Sequence, residues 1–111
     1  MGEMLDKDIL QHIMREITFA LGEIQDLTEA DFMQNATKQH ALVMALLNIG
    51  ELANNLNYDF YLAHPNVPWR KIIDMRNAAA HGYFSLKLPL IWNTLQNDLP
   101  KLQTEIQQIQ L

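Results

Sequence analysis

The feature that most constrains this chain is the spacing of apolar residues in its first segment. Leu5, Ile9, Ile13, Ile17, Ala20, Ile24 and Leu27 recur at steps of three and four, which puts them on one face of an α-helix. A strand would need alternation with a period of two, and no segment shows it. Thr28-Glu29-Ala30-Asp31 resembles a capping box and predicts a fresh turn or short helix. A second long helix is predicted from about Asn35 to Leu56. Its apolar stripe, Leu42, Val43, Leu46, Leu47, Ile49, Ala53 and Leu56, is wide enough to touch more than one neighbour.

Asn57 to Pro68 interrupts the pattern with turn residues, and Tyr58, Phe60 and Tyr61 are expected to pin this loop to the body. Pro68 suits the first turn of a third helix, where a missing N–H costs nothing. That helix carries Trp69, Ile72, Ile73, Ala79 and Ala80 on one face, and it is predicted to stop near His81-Gly82, with the glycine turning left-handed. Ser85 to Pro89 reads as a connection. In the last segment Leu88, Trp92, Leu95, Leu99, Leu102, Ile106 and Ile109 alternate steps of four and three, as in a bundle seam. Pro100 lies within it and should kink or split it. The expected fold is all-α: four main helices in an up-and-down bundle, forming a single domain over residues 1–111.

Composition narrows the function. The chain has no cysteine, which removes disulfides and thiolate chemistry. The acidic N-terminus and a longest apolar run of only Ala41 to Leu47 argue for a soluble, cytoplasmic protein with no membrane role. A net charge of −5 argues against a protein that coats nucleic acid. Yet Arg70, Lys71, Arg76 and Lys87 are half of the Lys and Arg residues, and only Asp74 opposes them within that stretch. A local basic site can therefore sit on an acidic protein.

Arg76 is the anomaly. Helical spacing places it on the stripe of Trp69, Ile73 and Ala80, where an unpaired buried charge would be expensive. Two readings stay open: a structural ion pair with Glu51 or Asp74, or a guanidinium facing a cleft or partner chain. Asn77 and His81 are four apart and share a helix face. A histidine near a helix C-terminus has a structural reading too, but with Arg76 and Asn77 it forms a phosphate-directed acid/base set. Tyr83 reads on spacing as a half-buried aromatic at the bundle end. His12, His40 and His64 are isolated, and no metal-ligand spacing exists, so neither a metal nor a cofactor is expected.

Arg76-Asn77-Ala78-Ala79-Ala80-His81-Gly82-Tyr83 resembles the R-N-x3-H-x-Y signature of HEPN domains in the HepT-like toxin family. Ile49-Gly50-Glu51, Val67-Pro68-Trp69, Ile91-Trp92 and Leu99-Pro100 resemble further parts of that family. Two departures are Gly82, where many members carry an acidic residue, and Leu52, where the family reads Gly-Glu-Ala.

The resemblance implies a homodimer whose two motifs meet in one cleft. It implies a metal-independent endoribonuclease, the toxin of a type II/VII-like toxin–antitoxin pair, acting on RNA and sparing DNA. Arg76 and His81 would be catalytic, with Asn77 positioning and Glu51 supporting. A minimal nucleotidyltransferase antitoxin would silence it by adding AMP to Tyr83. The alternative within the same resemblance is a non-catalytic HEPN module that binds a nucleotide or partner.

Overall fold

The structure, a computed structural model, describes residues 5–84 and 87–109, with the side chains of residues 82–84 outside the description. Every regular element among the described residues is helical. The first helix, α1 (Asp6–Ile24), buries Ile9, Leu10, Ile13, Ile17, Ala20 and Ile24, and Leu27 packs beyond its end, half-buried. Thr28 and Asp31 close the capping box that starts α2 (Glu29–Met33). The Asp31 amide donates to Thr28 Oγ1 at 3.1 Å, and the Thr28 amide donates to Asp31 Oδ2 at 3.2 Å. Both hydrogen bonds satisfy amides that a helix start leaves without partners. Phe32 then anchors α2, fully buried, with its ring 5.4 Å from that of Trp92.

Asn35 caps α3 (Ala36–Asn54), its Oδ1 accepting from the Lys38 amide at 3.0 Å. The wide apolar stripe has the consequence expected of it, because α3 packs against both α1 and α5. Two contacts fix the α1/α3 pair as antiparallel. Lys38 pairs with Glu23 at one end. Asp6 accepts from the Asn57 backbone amide and side chain at the other, at 3.0 and 3.2 Å.

The segment after α3 is more ordered than its turn residues predict. It holds a short helix, α4 (Tyr58–Ala63). Phe60 is buried, and the Tyr61 hydroxyl donates to the Ala53 carbonyl. Tyr58 does not pin anything and stands 71% exposed. On a one-and-a-half-turn helix the inward row has room for Phe60 and the side of Tyr61, so Tyr58 falls outside.

Trp69 opens α5 (Trp69–Phe84) directly after Pro68, and its indole N–H donates to the His64 carbonyl at 2.9 Å. Two expectations for α5 need correction. Its deepest row is Ile72, Met75 and Ala79, while Trp69, Ile73 and Ala80 are half-buried. The stripe that carries Arg76 is therefore the edge of the buried face. The helix also continues through Gly82 to Phe84 without stopping there. Glycine only lowers helix propensity by ~1 kcal/mol, and it does not end a helix unless the backbone turns left-handed.

The last apolar seam divides into three parts. They are α6 (Leu88–Asn93), a π-helical turn (Thr94–Asp98) and α7 (Leu99–Gln107). Pro100 has no N–H for the carbonyl one turn before it, and its ring needs room against that carbonyl. The wider π turn sits where that mismatch falls. Ile91, Trp92, Leu95, Leu99, Leu102 and Ile106 still point inward. Lys71 on α5 reaches Asp98 at 3.3 Å, tying α5 to the π turn. No described helix is long and apolar enough to cross a membrane.

Candidate functional site

The site is built where α3 and α5 come closest. Gly50 on α3 lies under the stem of Arg76. A β-carbon added at Gly50 would stand 2.2 Å from the Arg76 Cβ and 3.0 Å from its Cγ and Cδ. Only a hydrogen fits there, so Gly50 sets the approach of the two helices. The next residue, Glu51, receives the end of the same side chain, with Arg76 Nη2 3.4 Å from Glu51 Oε1.

Arg76 is neither deeply buried nor free in water. Its side chain is 38% exposed and that of Glu51 51%. Asp74 is not its partner, since Asp74 pairs with Arg70 at 3.7 Å on the outer face. A pair this open contributes little to stability, about 0–1 kcal/mol. It sets one guanidinium nitrogen beside Glu51 at a half-exposed position, and a guanidinium carries five N–H donors, more than one such contact uses.

Asn77 and His81 are exposed on α5. With 3.6 residues per turn, four-residue spacing stacks them on one face. His81 lies five residues beyond Arg76, which is roughly 140° around the helix and about 7.5 Å along it. One copy of α5 therefore presents Arg76 and His81 in different directions. The Tyr83 side chain lies outside the described residues, as do Ser85 and the residue after it.

The end of α3 beside the site is tightly closed. Asn55 Nδ2 donates to the Glu51 carbonyl at 2.8 Å, and Tyr61 covers the Ala53 carbonyl. Burial pushes the Tyr61 phenol above its ordinary value of 10.0, and the Asp6 carboxylate adds to the shift. These contacts satisfy carbonyls that a helix C-terminus leaves open and hold the Gly50-Glu51 segment firm. Among the described residues no group of three or more His, Asp or Glu side chains is placed to hold a metal ion.

The role of Gly50 in positioning Arg76 is not visible from periodicity. In the sequence it is one more glycine inside a helix pattern, and only the approach of α5 shows why it is small. His12, isolated in the sequence, stands in a groove beside Glu51 together with Glu16 and Asn48. The four-residue spacing of His12 and Glu16 was the available signal.

These features define a class: an all-helical protein that presents an arginine, an asparagine and a histidine on one helix, braced by a Gly-Glu pair from its neighbour. The chain belongs to the ribonuclease HepT-like family, which matches residues 8–109. A protein of Caldanaerobacter subterraneus subsp. tengcongensis, whose name proposes an RNase, is 32% identical over 100 residues, covering 90% of this chain and 89% of its own. One from Thermococcus cleftensis, whose name proposes ribonuclease HepT, is 31% identical over 103 residues, covering 93% of this chain and 94% of its own. A Methanocaldococcus jannaschii protein, also named as a proposed RNase, is 31% identical over 101 residues, covering 91% and 93%. No solved structure gives a significant match.

Proposed function

We propose that this protein is a metal-independent endoribonuclease whose cleft forms when two copies of α5 face each other. The observation that carries the reading is Arg76: half-exposed, held against Gly50 and Glu51, and set on the same helix as Asn77 and His81. Because Arg76 and His81 diverge around one helix, a second α5 across a two-fold axis supplies the missing direction. The same pairing brings two basic segments together on an acidic chain, which favours a phosphate.

In the reaction, the ribose 2′-oxygen attacks the adjacent phosphorus and the bond to the 5′-oxygen breaks. A cyclic phosphate and a 5′-hydroxyl result. His81 takes the 2′-proton or gives one to the leaving oxygen, a role worth ~10²–10⁴-fold. Arg76 holds the phosphate and stabilises the charge that grows on it. Asn77 positions His81 or a phosphate oxygen, and Glu51 orients Arg76. DNA lacks the attacking hydroxyl and is spared.

Within this reading the protein is the toxin of a cytoplasmic toxin–antitoxin pair. Its antitoxin is a nucleotidyltransferase that adds AMP to Tyr83. The tyrosine oxygen attacks the α-phosphorus of ATP, pyrophosphate leaves, and the phenolic proton goes to solvent. The added negative charge then repels RNA from the cleft.

The test is RNA cleavage by purified protein in excess EDTA beside His81→Ala. Cutting by the wild type alone is the expected result. A folded, unmodified wild type that cuts nothing would move the reading to a nucleotide- or partner-binding HEPN module, which the net charge of −5 favours.

A further inference from the structure

Beside the Arg76–Glu51 pair, on the side away from α5, a groove of about 280 Å³ runs between α1 and α3. His12 and Glu16 form one wall, and Asn48, Glu51, Leu52 and Asn55 form the other. Glu51 belongs to both places. Its Oε1 faces Arg76 at 3.4 Å while its side chain lines the groove.

The lining chemistry selects what enters. Glu51 is paired with Arg76, which leaves Glu16 as the groove's other carboxylate, an acceptor that disfavours a phosphate inside the groove and favours a group rich in hydrogen-bond donors. His12 and Leu52 bring an imidazole ring and an apolar side chain to the lining, residue types against which a flat heterocycle packs. The groove residues are also not placed to converge on a metal ion. The amide nitrogen of Asn55 is already engaged by the Glu51 carbonyl at 2.8 Å. Asn48 brings a second side-chain amide to the same wall.

We infer that this groove is a nucleobase subsite, and that it takes guanine from the nucleotide whose phosphate lies on Arg76. Guanine presents two adjacent donors, N1–H and the N2 amino group, beside one acceptor, O6. Glu16 accepts from the two donors, Asn48 donates to O6, and His12 stacks on the ring. Guanine is the base that offers a carboxylate two neighbouring donors, N1–H and N2–H, on one edge, and a good bidentate contact discriminates strongly against a base that cannot make it. Glu51 links the two functions, because the residue that steadies the phosphate-binding guanidinium also borders the base.

This inference rests on the ribonuclease reading for its substrate, but binding tests it separately from cutting. The probes are the four nucleoside 3′,5′-bisphosphates, which carry a phosphate on either side of the base, titrated calorimetrically in EDTA. Guanosine bisphosphate is expected to bind roughly tenfold tighter than the uridine form. Glu16→Gln and Asn48→Ala should each erase that preference, while Arg76→Ala should weaken all four ligands alike. Circular dichroism of each variant confirms that the helices are intact. Equal binding of the four bisphosphates, or a guanosine preference untouched by both groove substitutions, would overturn the subsite. A wild type that binds guanosine selectively but cuts no RNA supports the subsite and removes the ribonuclease reading alone.

Discussion

Arg76 lies so close against Gly50 that a methyl group on the glycine would overlap its β-carbon, at 2.2 Å. The two helices meet here with only the stem of Arg76 between them, and its guanidinium continues outward to Glu51 at 3.4 Å. The packing of the fold and the placing of the candidate catalytic cation are thus one contact.

Gly50→Ala should therefore destabilise the protein by about 1–3 kcal/mol, as overpacking does. It should lower the melting temperature by several degrees and displace Arg76. Gly22 is the internal control. It is also a helical glycine, but nothing stands within 4 Å of an added β-carbon. Gly22→Ala should stabilise by about 0.5–1 kcal/mol, the ordinary helix preference for alanine. Thermal melts of the two variants give opposite signs if the contact is as described. Equal shifts would contradict it.

Tyr61 gives a prediction at alkaline pH. Burial and the Asp6 carboxylate raise its phenol above 10.0 in the folded chain. The folded state then holds the proton where the unfolded chain releases it. The contribution is complete below pH 10 and is lost as pH rises through the folded value. Tyr61→Phe should be less stable near neutral pH by about 0.5–1.5 kcal/mol, through loss of the bond to the Ala53 carbonyl. Above pH 10 the gap between the two proteins should narrow. Denaturant melts across that range check it, and a constant gap would rule out Tyr61 as the titrating group.

Much of this was legible in the sequence, for identifiable reasons. The three-four spacing of Ile9, Ile13, Ile17 and Ala20 defines α1 because one buried face leaves no other register. Thr28 and Asp31 place the start of α2 because their side chains meet specific amides. Pro100 announced a break but not its form, a π turn over Thr94–Asp98 that keeps Leu95 within it and Leu99 just after it buried. Other features were hidden. Tyr58 and Phe60 look equivalent in the sequence, and only the docking of α4 buries one and exposes the other. Gly82 reads as a helix stop, whereas α5 continues through it. The ion-pair alternatives for Arg76, Glu51 or Asp74, could not be separated until α3 lay beside α5.

Tyr83 carries the regulatory prediction. Co-expression with the cognate nucleotidyltransferase should add AMP to this residue, seen as a mass increase on the peptide that contains it. The modified protein should lose RNA cleavage because the new phosphate opposes an incoming one. An unmodified Tyr83 under those conditions would remove AMP addition as the silencing step.

The most direct test of the central claim, that two copies of α5 build one cutting cleft from Arg76 and His81, is complementation. Arg76→Ala and His81→Ala are purified separately, unfolded and refolded together, and assayed on RNA in EDTA. Each variant alone should be inactive, and the mixture should regain a substantial part of wild-type cleavage, since a mixed pair keeps one intact Arg76 and one intact His81 facing each other. A mixture that forms pairs yet stays as inactive as its parents, beside an active wild type, would contradict the shared cleft.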